Sequence, residues 1–214
     1  MKGLITKDLR ILLQRKRSLI LIILLGLVLG YFNEGTFVAG WLVLIGSILS
    51  LSAITYDEYD NCYPFMLTMP ISRKTYAVEK YVFGMMCSLF FWLLGVASFF
   101  IIQLVRKLPV DVFEGIAALS VTLFVAVLIL DTCIPFSLKY GSQRSRIIML
   151  MIFGAITAVS LSAMKTASVG TYLNLLDESP ASFLLLLPIL LILAIVISAV
   201  SVYASIKVMT KKEF

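Results

Sequence analysis

Apolar blocks separated by short polar intervals make up most of this chain, and six of them approach the length that crosses a bilayer. They run over residues 18–32, 36–56, 81–105, 115–138, 147–164 and 182–206. A span of the hydrocarbon core takes about 20 apolar residues. The first block is short, so its ends need snorkelling by Arg15-Lys16-Arg17 and anchoring by Tyr31-Phe32. No block alternates with a strand's period, and backbone in lipid must satisfy its own hydrogen bonds, so the blocks predict helices. The expected fold class is an all-α polytopic membrane protein, with six transmembrane helices in one domain over residues 1–214.

Ahead of the first block, residues 4–17 carry a helical period. Ile5, Leu9, Leu12 and Leu13 share one face, and Lys7, Arg10, Gln14 and Arg17 another. A basic amphipathic helix of this kind lies in the membrane interface, with Lys7, Arg10, Arg15 and Arg17 toward the headgroups. A signal peptide is the competing reading, but the basic region is long and no A-x-A site follows Gly30. The arm is expected to be retained.

The longest charged interval, residues 57–80, reads DEYDNCYPFMLTMPISRKTYAVEK. Phe65, Met66, Leu67 and Met69 sit between Pro64 and Pro70, with Asp57, Glu58, Asp60 and Asn61 before them and Ser72-Arg73-Lys74 after. An apolar knob on a water-side loop reads as a docking surface. The alternative is a segment that dips into lipid, which explains Phe65 and Met66 but not the flanking acids. Ser72 is placed to cap a helix that runs through Arg73–Lys80 into the third span. The other connections are brief: Asn33-Glu34-Gly35 is a tight turn, and residues 165–181 can hold a short interfacial helix. No internal repeat, separate domain or low-complexity tract is visible.

Composition supports the membrane assignment: 61% of residues are hydrophobic, 14% are charged and the mean hydropathy is +1.04. A soluble domain cannot bury that much apolar surface. Charge then sets orientation. Fifteen Lys and Arg residues fall in the N-terminal arm, the 57–80 interval, the connection after the fourth span and the C-terminal tail, against Arg106, Lys107 and Lys165 on the other side. The positive-inside rule places both termini in the cytoplasm. The net charge of +6 is accounted for by topology and anionic lipid, leaving no case for nucleic acid.

Candidate chemistry is sparse. The chain has no histidine, no G-x-x-x-x-G-K-[ST] loop, no H-E-x-x-H and no G-x-S-x-G, so no nucleotide, metal or serine hydrolase site is expected. Cys62, Cys87 and Cys133 have no metal-site spacing and read as small buried hydrophobes. Asp131 is the one acid inside a predicted span. It serves either as a substrate or proton contact or as a group hydrated near the surface, about two turns from Lys139. Pro135 should loosen the end of that helix. Gly154, Ala158 and Ser162 form a small-residue stripe on the fifth span, and Ala39, Gly46, Ser50 and Ala53 another on the second. Each is either a dimer or pathway face or packing within the bundle.

These features together resemble the small six-span bacterial permeases of the ABC-2 exporter family. The resemblance covers essentially the whole chain. It rests on the arm K-D-L-R-I-L-L-Q-R-K-R (residues 7–17), the loop D-E-Y-D-N…F-M-L-T-M-P-I-S-R…E-K-Y, and I-P-F-S-L-K-Y-G (residues 134–141) followed by basic residues. The K-K-E-F tail adds to it. Within the family the chain is most similar to membrane subunits that export amphipathic phenol-soluble modulin peptides in Gram-positive bacteria.

The resemblance implies a permease in the bacterial plasma membrane, paired with a second copy or a paralogue and served by two cytoplasmic ATPase subunits. Those partners would bind the ATP and Mg, so this chain would carry no cofactor and no enzymatic activity. Residues 65–72 would form the coupling helix in the ATPase groove. Glu58, Asp60, Asn61, Phe65, Met66, Leu67, Met69, Pro70, Ser72 and Arg73 would make the docking surface, and the N-terminal arm would be the elbow helix. The cargo would be amphipathic or hydrophobic: a peptide toxin, an antimicrobial peptide or a drug. Two rivals remain: a proton-coupled secondary transporter using Asp131, and a non-transporting immunity or sensor subunit.

Overall fold

The computed structural model describes residues 2–32, 35–59, 72–106, 112–141, 143–145, 147, 150–151, 154 and 180–211. Among the described residues the chain is all helical, in six long elements: α1 (Lys2–Gln14), α2 (Lys16–Phe32), α3 (Gly35–Tyr59), α4 (Arg73–Arg106), α5 (Val112–Tyr140) and α6 (Pro180–Lys211). Four of these, α3 to α6, are long and apolar enough to cross a membrane. At 17 residues and about 1.5 Å per residue, α2 is shorter than the hydrocarbon core. Most of the fifth expected span, from residue 155 on, lies outside the described residues.

The N-terminal segment departs from the sequence expectation. The helix expected over 4–17 ends at Gln14, and only Arg15 separates it from α2, which begins at Lys16. Arg15 and Arg17 therefore belong to the corner and to α2. The Arg15 guanidinium sits 5.0 Å from the centre of the Tyr56 ring. The inward face of α1 is also rotated. Leu4 is buried, Ile5 and Leu12 pack against Ala53, Phe83 and Cys87, and Leu9 and Leu13 point outward.

Small residues let α3 and α4 approach closely. A Cβ on Gly95 would come within 2.9 Å of the Ala39 Cα, and one on Gly46 within 2.8 Å of Phe91. Ala39, Gly46, Ser50 and Ala53 are all buried, so this stripe packs within the chain. The serines on this seam turn their hydroxyls onto their own helix: Ser47 Oγ donates to Val43 O at 3.0 Å and Ser98 Oγ to Gly95 O at 2.7 Å. That satisfies them where water is absent.

One end of the bundle, its foot, gathers α1, the starts of α4 and the ends of α3, α5 and α6. Leu4, Ile54, Tyr76, Leu138 and Met209 form a single apolar cluster there. At the opposite end Gly30, Val38 and Ile102 meet. The 34 residues of α4 cover about 51 Å at 1.5 Å per residue, well beyond a core of about 30 Å. Its apolar run starts at Tyr81, so the turns Arg73–Lys80 stand outside the membrane at the foot. Ser72 caps them as the sequence predicts, accepting from Thr75 N at 3.1 Å. Pro135 lies inside α5, which nevertheless continues to Tyr140. Gly141, at φ 84°, ends α5 in the left-handed conformation that favours glycine, with its N–H on Ser137 O at 3.1 Å. The Glu58 carboxylate lies where a side chain on Gly141 would project.

Candidate functional site

Five charged side chains from three helices meet at the foot. Lys7 and Asp8 come from α1, Asp57 from the end of α3, and Glu79 and Lys80 from the emergent turns of α4. The Lys80 ammonium bonds Asp8 Oδ2, lies 2.9 Å from Asp57 Oδ2 and lies 3.5 Å from Glu79 Oε2. Lys7 bonds Asp57 Oδ1 and sits 3.3 Å from Asp8 Oδ1. The Tyr76 hydroxyl donates to Asp57 Oδ2 at 2.9 Å, and its ring centre lies 5.0 Å from the Lys80 ammonium. Asp8 and Glu79 are fully buried, and Lys80 and Asp57 are 2% exposed.

Helix spacing explains how the cluster assembles. Tyr76 and Lys80 are four apart and share a face of α4, while Leu4, Asp8 and Leu12 form one stripe on α1. An acid in the middle of a packed apolar stripe is tolerable only when a cation meets it, and Lys80 does so. Burial alone would raise the Asp57 carboxyl, but the ammonium groups of Lys80 and Lys7 outweigh it and hold the group below the usual carboxylate range. Burial would likewise lower Lys80, but Asp57, Asp8 and Glu79 push it above the ordinary lysine range. Three acids face two cations, and Glu79 is the acid left over. Its nearest cation, Lys80, is 3.5 Å from Oε2, too long for a good hydrogen bond, Oε1 has no hydrogen-bond partner, and burial pushes the carboxyl up to about 7 against the pull of Lys80.

The cluster ties α1 to the two helices that flank residues 60–71. The ends of that interval are fixed as well. The Tyr59 hydroxyl accepts from Gln143 Nε2 at 2.8 Å, and Arg73 Nη1 donates to Thr210 O at 3.2 Å. Of the expected docking residues, Glu58 is half-buried beside Gly141, while Ser72 and Arg73 open α4. Asp60, Asn61, Phe65, Met66, Leu67, Met69 and Pro70 lie outside the described residues. Lys7, expected at the headgroups, turns inward to the acids, whereas Arg10 is exposed.

Asp131 makes a second polar site within the membrane layer. It is 3% exposed, so protein rather than water surrounds it. Ser198 Oγ of α6 donates to Asp131 Oδ2 at 2.6 Å. The Tyr81 hydroxyl meets Ser201 Oγ at 2.6 Å and Ser205 Oγ at 2.7 Å, and Ser201 bonds the Asp131 carbonyl, so α4, α5 and α6 share one network. Lys139 stacks on the Tyr140 ring at 4.8 Å. Gly154 of the fifth-span stripe is exposed, and Ala158 and Ser162 lie outside the described residues.

Sequence reasoning quoted Asp8, Glu79 and Lys80 within the family motifs but gave Asp8 and Glu79 no role of their own, counted Lys80 toward orientation, and placed Lys7 at the headgroups. One signal was available: Asp8 stands four residues from both Leu4 and Leu12, in the interior of an apolar stripe.

No curated protein and no solved structure matches the chain. The family model described as ABC-2 family transporter protein matches residues 3–210, nearly the full length, including the arm, the cluster at the foot and the Asp131 network. The four apolar helices of spanning length among the described residues make the chain an integral membrane protein. It belongs to the ABC-2 transporter family.

Proposed function

We propose that this chain is the membrane-spanning permease of an ABC exporter, moving an amphipathic or hydrophobic cargo out of a bacterial cell with power from separate cytoplasmic ATPase subunits. Family membership carries the reading, because an ABC-2 permease works with a cytoplasmic ATPase. The foot faces the cytoplasm, in line with the excess of Lys and Arg at that end. Six spans are part of this reading, which is supported by α5 and α6 both ending at the foot. The permease pairs with a second copy or a paralogue, and the cargo class includes amphipathic peptides of the modulin type.

The observation most relevant to mechanism is the buried ion cluster. Residues 60–71 dock the ATPase, and Phe65 and Met66 are its apolar anchors. Because Asp57 and Lys80 bracket this interval and both bond the α1 arm, a push on the loop moves α1, α3 and α4 together. A flexible connection would absorb the same displacement.

Purification in mild detergent with the product of a neighbouring ATPase gene tests this reading. A stable complex is expected, and Phe65→Asp or Met66→Asp should disrupt it while the permease still inserts. An undisturbed complex would remove the docking assignment, and no association at all would remove the exporter. One rival has an observation in its favour: Asp131 is buried with an unbonded oxygen, as a proton carrier would need. That rival requires transport without an ATPase and its loss in Asp131→Asn.

A further inference from the structure

Just outward of Asp131, between α4, α5 and α6, lies a cavity of about 290 Å³ lined by Trp92, Leu123, Phe124, Val127, Leu190 and Ala194, among others. Its polar atoms are already committed. The Trp92 indole N–H donates to Leu119 O at 2.8 Å, and Ser120 Oγ, also on the wall, donates to Ile116 O at 2.7 Å. An occupant therefore meets only apolar surface here. The volume is at the small end of the range for small-molecule pockets, too small to admit a peptide helix.

The helix register joins this cavity to the buried acid. Val127 and Asp131 are four apart on α5, and Ala194 and Ser198 are four apart on α6. Each pair shares a helix face, one turn or about 5.4 Å along the axis. The Asp131–Ser198 pair thus lies one turn toward the foot from the cavity wall on both helices. Ser198 satisfies Oδ2, while Oδ1 is buried without a hydrogen-bond partner. Among the described residues no Lys or Arg pairs with Asp131. A buried carboxylate in that position lacks a positive donor, and a ligand can bring one.

We infer that the cavity and Asp131 form one binding site for a small single-chain cationic amphiphile, its alkyl chain against Trp92 and Phe124 and its ammonium head on Asp131 Oδ1. The α5–α6 groove supplies both halves: apolar wall outward and negative charge one turn inward. Calling this ligand a cargo rests on the exporter reading, but binding itself needs neither ATP nor an ATPase.

The chain has two tryptophans, so a Trp41→Phe background leaves Trp92, on the cavity wall, as sole reporter. In nanodiscs of zwitterionic phosphatidylcholine, bromododecylammonium, whose primary ammonium carries N–H donors, should quench Trp92 saturably, and bromododecanol should do so far more weakly. Asp131→Asn, which keeps the shape and removes the charge, should weaken the cation by about tenfold or more, as expected for loss of a charge-assisted bond. Ala194→Leu, which fills the cavity, should abolish saturable quenching by both probes. Thermal melting of each variant within the scatter of the parent shows that the fold is retained. If a variant melts early, competition of the bromo cation by unbrominated dodecylammonium against dodecanol in the parent decides the same point. Equal affinity for the cation and the alcohol, or an unchanged cation affinity in Asp131→Asn, would overturn the site. A site that binds the cation in a protein that recruits no ATPase would leave the inference standing and the exporter reading refuted.

Discussion

Replacing Lys80 with methionine keeps most of the side chain's volume and removes the one cation that touches all three acids at the foot. Asp57 lies 2.9 Å away and Glu79 3.5 Å. At an effective dielectric near 20, a pair at 2.9 Å attracts with about 6 kcal/mol. Desolvation of Lys80 offsets much of that, and removing one partner of a buried pair costs about 3–5 kcal/mol because the other charge is left unpaired. At about 2–4 °C per kcal/mol for a chain of this size, the midpoint of thermal unfolding in detergent should fall by about 6–20 °C. Hydrogen exchange should speed up in α1, which the cluster ties down, before it does so in the α3–α4 seam. Adding Asp8→Asn to Lys80→Met removes one of the orphaned charges and should recover part of the loss. A drop below about 1 kcal/mol, or a double variant no better than the single, would refute the view that this cluster clamps the arm to the bundle.

The leftover acid gives a pH signature. The Glu79 carboxyl, up to about 7 when folded against an ordinary 4.5, keeps its proton longer in the folded state. Its contribution to stability therefore falls as pH rises from 4.5 to about 7 and stays lost above. Glu79→Gln should melt higher than the parent at pH 8 and level with it near pH 4, read from unfolding midpoints across that range; parallel profiles would refute the assignment. Glycines on helices should also respond in opposite directions. Gly3→Ala has open space and should stabilise α1 by about 0.5–1 kcal/mol. Gly95→Ala would press on the Ala39 backbone and should destabilise despite better helix propensity. Equal signs in thermal unfolding would show that the α3–α4 approach is not that close.

The helical class and the membrane location were legible in the sequence because each is a local property. A run such as residues 81–105 carries its own length and hydropathy, and Ser72 caps α4 within four residues of itself. The family pattern was legible for the same reason, since the motifs at 7–17 and 134–141 are contiguous. Only the tertiary structure decided where the buried charges go. Asp8 and Lys80 are far apart in the chain, and Lys7, read as an outward headgroup contact, turns inward because two acids at the foot need cations. Asp131 was readable as a single acid in an apolar run, but its Ser198 partner, its missing second bond and the cavity one turn away come from α5 packing against α6. Hydropathy is a sum over neighbours in sequence, whereas charge compensation and cavities depend on which helix faces meet.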